Sequence, residues 1–372
     1  MGIDSSLPSL DDRPHLLGMR PVDLQAHLEE QGQPCRPEFA RRIQAQLISH
    51  GRAEIAPRRP VPQRILRYLD QHTRRDRLEV LERAEDPADG FVKYLLRHPD
   101  GAVTEAVRIP LLKEGCFTVC LSSQVGCAMG CVFCATGRLG LKRNLRAWEM
   151  VAAWMTLRDE APGRVTGAVF QGQGEPLHNY DAVMQAAQIL SDPCGGRIRQ
   201  EAITISTVGL VPAIRRYAQE QRPYRLIVSL TSAVGARRAE LLPVAGRFAM
   251  HELREAVHEA AAQWSGRFTV AMVMMEGVNT GQDEVDGLRD LVEGLRVRIN
   301  LIDVNDARPD GYRPPDEGER RGFIDRLQAL GVPVVRRYSG GSQRHAACGM
   351  LAATRWDEGE GAAEPPTDLA TS

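Results

Sequence analysis

Hydrophobic positions along the chain follow two different rhythms. In the first eighty residues they recur every three or four positions over 22–30, 37–49 and 63–73, with charged residues between them. That spacing predicts three amphipathic helices. Between 92 and 112, two short extended runs flank Asp100-Gly101, the mark of a β-hairpin. Beyond Cys116, short apolar runs at 117–122, 165–170, 202–207, 225–231, 268–275, 298–303 and 334–338 alternate with helix-length patterns. The latter fall at 147–158, 180–190, 211–219, 250–264, 284–295 and 320–330. Such alternation predicts parallel βα units, six of them and a final strand. The expected fold is α/β: a partial six-unit βα barrel with an extra C-terminal strand, a small mainly helical N-terminal domain and a connecting β-hairpin. The divisions expected are 1–90 for the helical domain, 91–115 for the hairpin, 116–356 for the barrel and 357–372 for the tail. That tail carries five acids and no base, a composition that predicts disorder.

Composition narrows the partners. The chain has 372 residues, 43% hydrophobic and 26% charged, which is ordinary for a globular protein larger than one typical core. Lys+Arg 47 against Asp+Glu 48 leaves a net charge of −1, so a polyanion would have to meet local patches. One candidate is 52–77, where eight arginines face three acids; the other reading of it is a salt-paired helix surface. A second is Arg138, Lys142, Arg143 and Arg146. No apolar run approaches the ~18 residues of a membrane helix, and the opening residues, with Asp4, Asp11 and Asp12, lack a signal-peptide core. A cytoplasmic protein with no membrane partner is expected.

Five of the eight cysteines lie between Cys116 and Cys134, and three form Cys127-Ala-Met-Gly-Cys131-Val-Phe-Cys134 just after the first barrel strand. Close cysteines in a reduced compartment point to metal or redox chemistry. Structural zinc wants four ligands, often in paired knuckles, and no second knuckle is present. Three thiolates on one loop suit a 4Fe–4S cluster with one iron left open.

This CxxxCxxC run at the end of the first strand resembles that of the radical-SAM superfamily, and Gly172-Gln173-Gly174-Glu175-Pro176 resembles its GEP element. Further matches, in order, are 118–124, Arg143-Asn144-Leu145, 205–212, Ser229-Leu230, 299–302 and Ala346-Ala347-Cys348-Gly349. Together, from about residue 20 to 353, the chain is similar to the adenine C2-methyltransferases of ribosomal RNA and tRNA and their C8-methylating resistance relatives. The resemblance implies one 4Fe–4S cluster on Cys127, Cys131 and Cys134, with S-adenosylmethionine on the open iron and two molecules of it consumed per methylation. It implies that Gly174, Glu175, Ser206, Ser229, Leu230, Thr231 and Asn300 hold S-adenosylmethionine. Carbon 2 of adenine is electron-poor and cannot attack a sulfonium methyl, which is why a radical route is needed. By the same resemblance Cys348 carries the methyl group, Cys120 releases the product through a transient disulfide with Cys348, and Glu105 accepts a proton.

Strand alternation bears on Cys120 independently. Phe117, Val119 and Leu121 share one face of 117–122, which leaves Thr118, Cys120 and Ser122 on the other, towards the barrel interior. Cys35, Cys116 and Cys194 are read as structural. Departures from the family pattern, among them Gln173, Thr231, Gln343 and His345, surround the substrate side and leave open which nucleotide and which ring carbon is methylated. The expected partners are structured RNA and a reductant such as flavodoxin, with a monomeric enzyme. Two alternatives stay open: a radical-SAM enzyme acting on a divergent RNA, or a non-catalytic metal- or iron–sulfur-binding protein.

Overall fold

The computed structural model describes residues 12–55, 60–244, 247–264, 268–306, 308–337, 340 and 349–350; Cys348, Gln343, His345 and the 357–372 tail lie outside them. Three helices open the chain: α1 (Pro21–Glu30), α2 (Pro37–Gln44, running into a π-turn at Ala45–Ser49) and α3 (Gln63–His72). Proline at the first turn of α1 and α2 starts each where its missing N–H costs nothing. Leu24, Leu28, Ile43, Ile65 and Leu69 are fully buried, as the three- and four-residue spacing requires.

A single ten-stranded sheet follows. Strands β1 (Glu79–Glu85), β2 (Val92–Arg97), β3 (Val103–Pro110) and β4 (Cys116–Leu121) are antiparallel neighbours. From β4 onward pairing is parallel through β7 (Arg164–Phe170), β8 (Ile203–Thr207), β9 (Arg225–Ser229), β10 (Phe268–Met274), β11 (Val297–Asp303) and β12 (Val334–Arg337). A two-stranded ribbon, β5 (Gln124–Gly126) with β6 (Leu141–Asn144), brackets the short helix α4 (Ala135–Arg138). The connecting helices are α5 (Ala147–Asp159), α6 (Tyr180–Ser191), α7 (Val211–Gln219), α8 (Gly235–Leu241), α9 (Met250–Gln263), α10 (Gln282–Val292) and α11 (Glu317–Gln328). This is the α/β architecture expected, with each parallel strand where the apolar runs placed it. Two details differ. Strand β1 falls inside the stretch read as helical, because its alternation is masked by charges on an exposed face. The hairpin β2–β3 is also no free-standing connector: β1 and β4 flank it, and it extends the main sheet.

The helical N-terminal segment is fastened to the outside of the barrel at both ends of α5. His15 stacks on Trp148 with ring centroids 4.0 Å apart, and Arg158 Nη1 donates to the Ile48 carbonyl at 2.5 Å. Beside them, the Glu149 carboxylate caps α5 through the Arg146 N–H at 2.7 Å and accepts from both Arg143 Nη1 and Nη2 at 2.9 Å and from His98 Nδ1 at 2.5 Å. Burial pushes this carboxyl up, but the His98 and Arg143 hydrogen bonds outweigh it and hold it at about 2. Burial also lowers His15 to about 4.

Both groups make the fold acid-labile. Unfolded imidazole takes its proton near 6.5 and folded His15 only near 4, so stability is complete above 6.5 and declines as pH falls through that window. Glu149 adds a second loss between 4.5 and about 2. Each contributes roughly 3 kcal/mol when fully expressed. Replacing His15 with leucine is expected to flatten urea-unfolding stability between pH 6.5 and 4; an unchanged slope there would remove His15 from the account.

Candidate active site

Alternation along the parallel strands divides helix-facing from inward residues. Val119, Leu121, Ile203, Ile205, Leu226 and Val228 are buried in the core beneath the helices, while Thr118, Cys120, Thr204, Ser206, Ile227 and Ser229 line a cavity of about 1420 Å³ inside the sheet. The same cavity is lined by Cys127, Cys131, Cys134, Gly174, Glu175 and Thr231. Two expected residues stand apart from its wall. Leu230 is fully buried and contributes backbone, its N–H donating to the Ala271 carbonyl at 2.9 Å. Asn300 shares its strand face with Ile302 of the wall, and its buried Oδ1 has no hydrogen-bond partner among the described residues. A buried acceptor left bare costs about 1–3 kcal/mol unless a ligand or water supplies a donor.

The cysteine loop is built by close backbone contacts. Cys127 N donates to the Gly140 carbonyl at 2.9 Å and Ala135 N to the Gly349 carbonyl at 2.8 Å. Met129, Phe133, Leu242, Met275 and Val304 pack around Cys127 and Cys131 as a separate apolar cluster. All seven described cysteines are free thiols. Burial pushes Cys127 up to about 12 and Cys131 well above its ordinary range. Bare thiols so placed are inert, and only a bound cation would favour their thiolates. Among the described residues, no group of three or more His, Cys, Asp or Glu side chains could hold one metal ion. In an iron–sulfur cluster each thiolate binds its own iron, so convergence on a point is not required. The three-thiolate donor set therefore fits a cluster, and among the described residues no fourth ligand completes a zinc site.

The turn after β7 is the most constrained part of the wall. Gly174 has φ +98°, and a Cβ there would lie 2.6 Å from Gln124 Cβ and 2.8 Å from Gln124 N. Gln124 Oε1 in turn accepts the Glu175 N–H at 2.9 Å. The Glu175 carboxylate takes N–H donors from Leu177 at 2.9 Å and Val208 at 2.8 Å. Burial still raises it to about 7. A cationic amine beside it would reverse that rise. Opposite, Ser206 and Ser229 hydroxyls lie 3.3 Å apart. Thr231, a β-branched residue at φ +61°, is in a conformation such residues rarely adopt. Its carbonyl is held by Asn279 Nδ2 at 2.6 Å, and Asn279 also bonds the Val273 carbonyl and the Met275 N–H. Arg238, fully buried, donates to the Leu230 and Val208 carbonyls at 3.0 and 2.6 Å. Gln124, Asn279 and Arg238 are positioning residues that the sequence reading did not single out; only Gln124 stood inside a quoted motif.

Cys120 Sγ donates to the Gly172 carbonyl at 3.6 Å and is packed by Val107, Phe91, Ile109 and Val169. Gly349, the residue after Cys348, lines the same cavity. Glu105, the expected proton acceptor, is shielded from solvent. It lies within β3, fully buried, 3.1 Å from Lys93 Nζ and on the strand face of Val107 and Ile109, which line the cavity. The basic stretches differ too. Arg143 is locked between Asp100 and Glu149, while Arg74, Arg75 and Arg77 pair with Asp76, Asp70 and Asp159.

A family model of the radical SAM superfamily matches residues 121–292. A probable RNA methyltransferase of Anaeromyxobacter sp. (strain Fw109-5) is 50% identical over 316 residues, 84% of this chain and 93% of that one. The dual-specificity RNA methyltransferase RlmN of Anaeromyxobacter dehalogenans is 35% identical over 353 residues, 92% and 93% of the two chains. The crystal structure of a radical SAM methyltransferase from Sphaerobacter thermophilus superposes with a TM-score of 0.84 at 32% identity, covering 92% of this chain and all of that one. The chain therefore belongs to the radical SAM methyltransferases, in the family that includes the RlmN enzymes.

Proposed function

We propose that the protein methylates a ring carbon of adenine, C2 or C8, in ribosomal RNA or tRNA, by way of a methylated Cys348. The observation that supports this most is one shared cavity: Cys120, the three cysteines of the loop, the Ser206–Ser229 pair and Gly349 all line it. When bound, a 4Fe–4S cluster and two S-adenosylmethionine molecules supply a methyl group and a radical. Cys127, Cys131 and Cys134 would hold the cluster. Gly174, Glu175, Ser206, Ser229, Leu230, Thr231 and Asn300 would hold S-adenosylmethionine, with Glu175 facing its amine. Cys348 would carry the methyl, and Cys120 would free the product by attacking the Cys348 sulfur. The S–C bond then breaks, its electron pair and a proton complete the methyl group on the base, and a cellular thiol reduces the disulfide. Glu105 enters as proton acceptor from its place on the cavity face of β3, with Lys93 as countercharge. A cytoplasmic monomer reduced by a flavodoxin-type protein completes this reading. Among the described residues no helix is long and apolar enough to cross a membrane.

Mass spectrometry of ribosomal RNA and tRNA from a deletion strain tests the proposal. One methyladenosine is expected to disappear and to return on complementation; an unchanged set of methyladenosines would end it.

A further inference from the structure

The cavity extends along the strands, and its end opposite the cysteine loop carries basic side chains without an ion-pair partner among the described residues. Lys113 precedes β4, Arg164 begins β7, Arg199 precedes β8 and Arg225 begins β9; all four line the cavity and are exposed. No ion pair or side-chain hydrogen bond holds any of them among the described residues. Arg197 lines this end as well, its side chain donating to the Pro193 carbonyl, and Glu201 lines the cavity beside Arg199. In a chain of net charge −1 this is a marked local excess. It contrasts with Arg74, Arg75, Arg77 and Arg143, whose charges are taken up by neighbouring acids. The loop between β3 and β4 adds an apolar tip at the same mouth: Leu112 is 109% and Leu111 40% exposed, and both line the cavity. Arg164 and Arg225 begin β7 and β9, and Arg199 lies four residues before β8 between them; Arg225 is level with Thr204 and Val169 in the register, so the three are staggered along the strand direction around one mouth of the cavity.

We propose that this mouth, at the N-terminal ends of β4, β7, β8 and β9, grips the single-stranded RNA backbone beside the target adenine. Arg164, Arg199 and Arg225 take phosphates of that backbone, Leu111 and Leu112 offer an apolar surface to an unstacked base, and the adenine enters the barrel from below, past Thr118 and Thr204. Exposed, unpaired guanidiniums suit phosphates, which bind them bidentately. The proposal rests on the RNA-methylating reading above.

The test uses the full-length holoenzyme and a fluorescein-labelled RNA hairpin whose loop carries unpaired adenines. Anisotropy titrations across a salt series compare the wild type with the triple variant Arg164→Gln, Arg199→Gln, Arg225→Gln and with Leu112→Asp. A variant carrying Arg74→Gln, Arg75→Gln and Arg77→Gln serves as comparison, and thermal melts check folding. The mouth variant is expected to weaken binding at least about 30-fold and to reduce the slope of log K against log salt by about 2, roughly 0.7 per lost phosphate contact. Leu112→Asp is expected to weaken binding without changing that slope. Unchanged affinity and slope in the mouth variant would overturn the proposal, as would an equal loss in the comparison variant. Full RNA affinity with slowed reduction by flavodoxin would also overturn it, since the mouth would then receive an acidic protein. If the wild type methylates no RNA, the functional reading fails first; if it methylates RNA and the mouth variant matches it, only this inference fails.

Discussion

Replacing Cys120 with alanine is expected to leave the RNA covalently attached to the enzyme. The thiol is buried against Val107 and Val169 and donates to the Gly172 carbonyl, so its loss removes a small apolar group and a weak hydrogen bond to that carbonyl. The fold should weaken by no more than about 1 kcal/mol. Under the proposed mechanism the variant lacks the nucleophile that releases the base, so the reaction should stop after about one RNA per enzyme. RNA should then migrate with protein on a denaturing gel, and serine at 120, a poorer nucleophile of similar size, should give the same trapped species. Free methylated RNA released by the alanine variant at the wild-type rate would take Cys120 out of the mechanism.

Gly174→Ala should lower affinity for S-adenosylmethionine at least about tenfold, the equivalent of about 1.4 kcal/mol. Two effects combine. The backbone at φ +98° disfavours any side chain, and the new Cβ would meet Gln124 N at 2.8 Å, an atom fixed in β5 that cannot yield as a flexible side-chain tip would. Relief requires the turn to move away from Gln124, which breaks the Glu175 N–H···Gln124 bond and shifts the Glu175 carboxylate. Equilibrium dialysis of the reconstituted enzyme with labelled S-adenosylmethionine measures the loss directly. Gly101→Ala isolates the conformational part, because Gly101 has φ +81° with open space around it on the β2–β3 turn. It should melt slightly lower and bind the cofactor normally. Binding by Gly174→Ala within twofold of wild type would show that the turn tolerates the displacement.

The architecture was legible because parallel strands buried on one face and helices buried along one stripe each carry their own period. All seven parallel strands overlap the apolar runs that predicted them. The inward set was legible for the same reason: Cys120, Ser206 and Ser229 alternate with core residues, and a two-residue period leaves them nowhere else to point. Strand β1 was missed, since Glu79, Glu82, Arg83 and Glu85 hide any alternation on a strand at the sheet edge.

Charge was the property that composition could least foretell. The arginine-rich stretch at 52–77 could be read as an RNA contact or as a salt-paired surface, and Arg143 as an RNA contact; the partners that neutralise Arg77 and Arg143, Asp159, Asp100 and Glu149, are remote in sequence or belong to another element. Arg164, Arg199 and Arg225, scattered over sixty residues, gave no local signal and reach one mouth of the cavity only because β7, β8 and β9 are neighbours in the sheet. The buried Lys93–Glu105 pair and the Asn279 and Arg238 struts escaped notice likewise. Sequence alone thus determined the family, the order of strands and helices, and the three-cysteine loop, all properties carried by residues close together along the chain. Which charges are neutralised, which carboxylates are buried and where the cavity opens were decided by the tertiary structure, because ion pairing and desolvation depend on through-space distances that the folded sheet alone sets.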